Sequence, residues 1–257
     1  MEILTKMMKA SAFLVILCFL CSCKKDEGVG TVGIAKVNVI NAVVDGGNFK
    51  ANISKKTIPW GSIPDDKVLG GFSLSRLYTV PTDEPTFVQV SPIADTTKLW
   101  FDQQKQLSAG KIYTLYLSGT SSNVKASFQE EVNFPKYILR DLSHPTPSTD
   151  SIVNIRFANL SPSGPQVDIN IQGKSINEVN GLSYESFTAF KAYPATTGND
   201  YIILEIRKSS DKQLINTFYL YVPNVRFKSI SIIMMGIYPG DGLSYNDKYK
   251  IDYITYQ

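Results

Sequence analysis

Along most of the chain, apolar and polar side chains alternate with a period of two. Val167, Ile169 and Ile171 alternate with Asp168, Asn170 and Gln172. Val124, Ala126 and Phe128 alternate with Lys125, Ser127 and Gln129. Tyr113, Leu115 and Leu117 alternate with Ile112, Thr114 and Tyr116, and Ile202, Leu204 and Ile206 with Ile203, Glu205 and Arg207. Successive side chains on a strand point to opposite faces, so this period predicts half-buried β-strands. Turn formers separate the runs, as in Asp45-Gly46-Gly47, Ser161-Pro162-Ser163-Gly164 and Pro239-Gly240-Asp241-Gly242. After the first residues, no segment keeps an apolar stripe at helical spacing.

The pattern occurs twice. Lys36–Ile53 resembles Ile152–Ile171, Leu77–Ser91 resembles Phe190–Ile206, and Ala109–Gly119 resembles Arg226–Gly236. Val37 matches Val153, Pro81 matches Pro194 and Gly119 matches Gly236, in one order and at a nearly constant offset. Two copies of one domain are the direct reading. About seven short strands in about 100 residues suit an antiparallel sandwich. The fold class expected is therefore all-β, with two tandem immunoglobulin-like antiparallel β-sandwich domains over residues 34–136 and 152–257. Between them, residues 137–151 form a Pro-rich linker, in which Pro145 and Pro147 favour extended geometry. The 14 Tyr and 13 Phe, with many Val, Ile and Thr, agree with a β composition.

The one different segment is the first. Lys6 and Lys9 precede a run, Ala12–Leu20, that is wholly apolar. A spanning helix needs about 20 such residues, so the run fits a secretory signal peptide instead. It ends Leu20-Cys21-Ser22-Cys23, which resembles the bacterial lipobox. That resemblance implies a signal peptide over residues 1–22, cleavage before Cys23, and acylation of the Cys23 thiol. Residues 23–33 are then a lipidated cysteine and a flexible tether. No cysteine follows Cys23, so the rest of the chain has no disulfide within it. Several acyl chains hold a protein on a membrane where one does not. Lys24-Lys25-Asp26-Glu27 is similar to the surface-export signal of Bacteroidota lipoproteins. The expected location is the outer membrane, surface-exposed, with its periplasmic face as the alternative.

Val153–Pro162, followed by Val167-Asp168-Ile169-Asn170-Ile171, resembles the opening of the family of domains of unknown function numbered 4397. The first copy matches a later block better, at Leu107–Gly119. Each copy departs elsewhere: the first has Val43-Val44-Asp45-Gly46 in place of Ser-Pro, and the second has Phe227-Lys228-Ser229-Ile230 in place of Gly-Lys-x-Tyr-Thr. The resemblance implies envelope proteins with sandwich domains. It implies no reaction.

Charge changes the picture little. Lys and Arg number 26 against 23 Asp and Glu, with no basic block, so no nucleic-acid partner is expected. The Gly28–Gly33 stretch matches G-x-G-x-x-G but lacks a preceding strand and a following helix, and reads as tether. His144, the only histidine, sits in the linker. A triad needs a firmly held base, and a metal cluster needs more His or Cys than this. Asp65-Asp66 reads as a turn after Pro64, and Glu130-Glu131 are adjacent on a strand and point to opposite faces. Asp241, Asn246 and Asp247 offer oxygens but follow no calcium-loop spacing. No catalytic residue, metal or cofactor is expected. For ligand binding the candidate is Trp60, in the loop Thr57–Asp66, whereas Trp100 reads as core. Tyr219 and Tyr221 alternate with Phe218, Leu220 and Val222, which puts them on an outer face or at the interdomain seam. Asp95-Thr96-Thr97 and Asp150-Ser151-Ile152 resemble glycosylation acceptors.

The expected function is a non-catalytic envelope lipoprotein acting as a binding or display module. Its partners are the membrane, through the anchor, and a glycan or an envelope protein. A glycan-binding accessory of a polysaccharide-uptake system is one alternative, and a structural spacer or adhesin component is another.

Overall fold

A computed structural model describes residues 32–63, 68–69, 75–132, 134–135, 151–196, 198, 200–241, 243 and 247–256. The expected signal peptide, Cys23, the Lys24–Glu27 charges, Asp65-Asp66, His144 and Asn246 lie outside the described residues. So does nearly all of the linker 137–151.

The chain is built of strands, as the period of two predicts. The first copy contributes β1 (Ile34–Asn41), β2 (Phe49–Ser54), β3 (Val68–Leu69), β4 (Ser75–Pro81), β5 (Thr86–Pro92), β6 (Phe101–Lys105), β7 (Ile112–Thr120) and β8 (Asn123–Glu130). The second contributes β9 (Ile152–Asn159), β10 (Val167–Ile171), β11 (Val179–Leu182), β12 (Ser186–Phe187), β13 (Lys191–Pro194), β14 (Tyr201–Lys208), β15 (Leu214–Tyr221), β16 (Ser229–Met235) and β17 (Lys250–Tyr256).

Each copy is a sandwich of two sheets. In the first, β4-β1-β7-β8 packs on β3-β2-β5-β6; in the second, β12-β9-β16-β17 packs on β11-β10-β14-β15, with β13 also paired to β9. The two copies thus share one connectivity. It differs in detail from the immunoglobulin order, where the first two strands lie on one sheet. Here β1 and β2 lie on opposite sheets, and β1 runs parallel to β7, as β9 does to β16. All the other strand pairs are antiparallel.

Alternation decides each core. Val37, Val39, Phe49, Val88, Val90, Leu115 and Leu117 fill the first sandwich. Val153, Ile155, Phe157, Ile169, Leu204, Ile206, Ile230 and Ile232 fill the second. The matched glycines have a backbone reason. Gly119 and Gly236 both hold positive φ, at 89° and 84°. A Cβ on Gly119 would lie 2.4 Å from Asn123 O, and one on Gly236 2.1 Å from Lys248 O. Only glycine meets both conditions at low cost.

Residues Ile34–Gln257 form one compact unit. The β1 sheet and the β9 sheet bury their outer faces against each other. Ile40, Ala42 and Tyr116 from the first copy join Ala158, Leu160, Ile233, Met235, Ile254 and Tyr256 from the second in a third apolar cluster. The four sheets are therefore layered, with equivalent sheets of the two copies in the middle. Two further ties cross the seam: the Asp45 N–H donates to Asp247 Oδ1 at 2.7 Å, and Ser118 Oγ lies 3.0 Å from Tyr184 Oη.

Candidate functional site

Three places concentrate polar or aromatic chemistry among the described residues. The first is the seam. Arg156 on β9 points out of its own sandwich, toward the other copy. Its Nη1 and Nη2 donate to Glu131 Oε2 at 2.5 Å and Oε1 at 2.7 Å, a two-pronged pair. Its Nε donates to Ser231 Oγ at 2.6 Å. Nη2 also donates to the hydroxyls of Tyr116 and Tyr256. Tyr116 in turn donates to Glu131 Oε1 at 3.1 Å. Phe190 lies under the guanidinium, 4.8 Å from ring centre to Cζ.

Both charged side chains are buried, at 7% and 2% exposure. A buried ion pair survives only when its remaining hydrogen-bonding capacity is met, and here it is. Burial lowers the pKa of Arg156, but Tyr116, Tyr256 and Glu131 around it more than reverse this, so the net shift is upward. Burial also pushes the Tyr116 and Tyr256 hydroxyls upward. The charges and hydroxyls of the network are satisfied by one another, so it is a lock between the copies.

The second place is a cavity of about 200 Å³ beside that lock. It is lined by Asn38, Ser75, Leu77 and Ile112 of the first copy and by Thr255 and Tyr256 of the second. Asn38 is 3% exposed, and its Oδ1 has no hydrogen-bond partner among the described residues.

The third is a tyrosine face on the outermost sheet of the second copy. On β15, Phe218 packs against the core and Leu220 is buried, so the alternate residues Tyr219 and Tyr221 point outward. Register sets Tyr221 beside Tyr201 of β14, and Tyr219 beside Ile203. The three tyrosines are 53%, 60% and 42% exposed, for Tyr201, Tyr219 and Tyr221. The rings of Tyr201 and Tyr221 are 5.3 Å apart and inclined at 50°, and those of Tyr201 and Tyr219 are 6.3 Å apart and nearly perpendicular. Farther along the same face, Thr217 stands beside Glu205, and Arg207 holds Glu205 at 3.1 Å. The sheet then ends in Asp168, which accepts from Lys212 Nζ and Ser209 Oγ, both at 2.6 Å, and from the Gly181 N–H at 2.9 Å. Burial alone raises the Asp168 pKa, but these donors outweigh it and hold the carboxyl below its ordinary value. Asp168 is thus a saturated structural acceptor.

The residues singled out from sequence fall as follows. Trp60 is half-buried in a single 3₁₀ turn, Trp60–Ser62, and its carbonyl accepts from Lys50 Nζ at 3.4 Å. It sits in the first copy, whereas the tyrosine face is in the second. Trp100, just before β6, packs on Phe49 at 5.6 Å in the core margin. Glu130 and Glu131 diverge: Glu130 pairs with Lys111 at the surface, at 2.8 Å, and Glu131 turns into the seam. Asp247 ties the seam. No group of three or more His, Cys, Asp or Glu able to hold a metal occurs among the described residues. Ser151 is buried and donates to Ala195 O at 2.6 Å, so its hydroxyl is not an accessible glycosylation acceptor. Of the two places open to Tyr219 and Tyr221, the outer face is the one they occupy. Sequence reasoning missed Arg156, Tyr116 and Tyr256. Their signal was the near-continuous apolar runs of β7 and β16, which mark strands buried on both faces.

No family model matches the chain, and no curated protein matches it. No helix among the described residues is long and apolar enough to cross a membrane.

Proposed function

We propose that this chain is a lipid-anchored, non-catalytic envelope protein whose second sandwich presents a tyrosine face to a glycan. One observation carries the binding reading: Tyr201, Tyr219 and Tyr221 form a contiguous exposed cluster. Large aromatic rings normally bury their apolar surface, and rings left on a sheet face suit a ligand with an apolar side and a polar rim. A sugar ring has that character. The tyrosine hydroxyls, Thr217 and the Glu205–Arg207 pair supply polar partners around it. The rings are steeply inclined to one another, so the face suits a flexible, soluble oligosaccharide better than a flat polymer sheet. Trp60 carries a weaker form of the same reading in the first copy, because its ring is half-buried.

The anchor reading rests on Leu20-Cys21-Ser22-Cys23, and outer-leaflet display on Lys24–Glu27. The absence of catalysis rests on inventory: the only histidine is in the linker, and the last cysteine is the lipid site. A glycan array probed with residues 24–257 tests the binding reading, and retention of at least one glycan class is expected. If no glycan is retained, the tyrosine face has another role. For the anchor, Cys23→Ala is expected to abolish incorporation of labelled fatty acid and to release the protein from membranes or leave it uncleaved. Labelling at the wild-type level would rule out the lipid site.

A further inference from the structure

Among the described residues β15 is an edge strand: within its sheet it pairs with β14 alone. Sheet edges expose unpaired N–H and C=O groups, and proteins normally blunt them with charge, proline or short length. The other long edges follow that rule, with Lys125 and Glu130 on β8, Asp102 and Lys105 on β6, and Lys250 and Asp252 on β17. β15 reads Leu-Ile-Asn-Thr-Phe-Tyr-Leu-Tyr and carries no charge and no proline over eight residues.

The ladder shows which of its backbone groups are free. The Val222 N–H donates to Asp200 O at 2.9 Å, so Val222 and Asp200 form a hydrogen-bonded pair. Such pairs alternate along an antiparallel ladder, so Leu220, Phe218 and Asn216 bond to β14. Thr217, Tyr219 and Tyr221 therefore direct their N–H and C=O groups outward. The regular stretch is bounded at one end by the register shift between Ile206 and Arg207, and at the other by the 3₁₀ turn Val222–Asn224. Its midpoint is Tyr219.

We propose that β15 pairs with β15 of a second copy of this chain, antiparallel, about a two-fold axis at Tyr219. The pattern is self-complementary about that residue. Thr217 faces Tyr221 of the other copy, Tyr219 faces its counterpart, and Tyr221 faces Thr217. All three outward positions are then hydrogen-bonded, with six backbone bonds between the copies. Aromatic pairs directly across two strands are favourable, and a strand without charge sets no like charges opposite each other. The register shift and the 3₁₀ turn stop the pairing symmetrically at its two ends. The result is one eight-stranded sheet, with the tyrosine faces of both copies continuous on its outer side. The proposal concerns the backbone edge and does not depend on what the rings bind.

Sedimentation of residues 24–257 up to about 100 µM tests it, a range suited to a small and therefore weak interface. A monomer–dimer equilibrium is expected. Thr217→Pro removes an outward N–H that β14 does not use, and Tyr219→Lys sets two ammonium groups face to face. Each is expected to weaken dimerisation at least about tenfold with the β spectrum retained, whereas Thr217→Val is expected to keep the dimer. Tyr201→Ala lies off the edge and is expected to leave the dimer intact, which separates this test from the glycan reading. Amide exchange gives a second measurement that needs no variant: in the dimer, Thr217, Tyr219 and Tyr221 are expected to be protected. A protein that is monomeric across the range, a dimer unaffected by either edge variant, or a dimer in which those three amides exchange freely would overturn the proposal.

Discussion

Replacing Arg156 with methionine, or Glu131 with glutamine, is expected to lower stability by about 3–5 kcal/mol, the cost of breaking one side of a buried ion pair. For a unit of this size that corresponds to a fall in melting temperature of roughly 10 °C. Arg156→Met leaves the Glu131 carboxylate buried between the copies without its counter-charge. Glu131→Gln leaves a buried guanidinium without its counter-charge, and arginine is not deprotonated in proteins. The double change Arg156→Met with Glu131→Gln removes both charges. It is expected to recover most of the loss, because Tyr116, Tyr256 and Ser231 still hydrogen-bond one another at 3.0 Å and 2.9 Å. Thermal melts of the four proteins form a double-mutant cycle. If the two single losses simply add, Arg156 and Glu131 do not act as a pair, and the seam is held by its apolar cluster and its other polar ties.

Truncating the tyrosine face is the change with the largest expected effect on binding. Tyr219→Ala and Tyr201→Ala each remove a ring that is more than half exposed, so the folded state loses little packing. Surface changes of this kind usually alter stability by less than about 0.5 kcal/mol. Aromatic anchors, by contrast, often account for most of a binding free energy. Each variant is therefore expected to bind a retained oligosaccharide at least about tenfold more weakly, a loss of at least about 1.4 kcal/mol, with an unchanged melting temperature. Trp60→Ala is expected to have the smaller effect on binding. Titration calorimetry of the four proteins with one retained oligosaccharide measures this order, and full affinity in Tyr219→Ala would remove the face as the ligand site.

Much of the sandwich architecture can be read from local alternation, because a period of two states which residues enter a core. Ile169 and Leu204 are buried for that reason, and Phe218 and Leu220 turn inward while Tyr219 and Tyr221 do not. What alternation cannot state is what lies beyond the outer face. Asn154 and Arg156 look like the solvent side of β9, but that side is covered by the other copy. The clue lay in neighbouring strands: Ile112–Leu117 and Ile230–Met235 are apolar or small on both faces, as strands in a middle layer must be. The pairing of Arg156 with Glu131 joins two copies through a fold-level contact, and no short spacing encodes it. The same holds for Tyr201, which joins Tyr219 and Tyr221 only through the register of β14 on β15. The connectivity also escaped the sequence, because the parallel pairing of β1 with β7 depends on contacts between distant segments.

The most direct test of the account is where a bound oligosaccharide sits on residues 24–257, mapped by amide chemical shifts as the ligand is added. The perturbed amides are expected to cluster at Tyr201, Ile203, Tyr219 and Tyr221, with Glu205 and Thr217 at the margin. Perturbations confined to the Trp60 loop or to the cavity at Asn38 and Thr255 would contradict it.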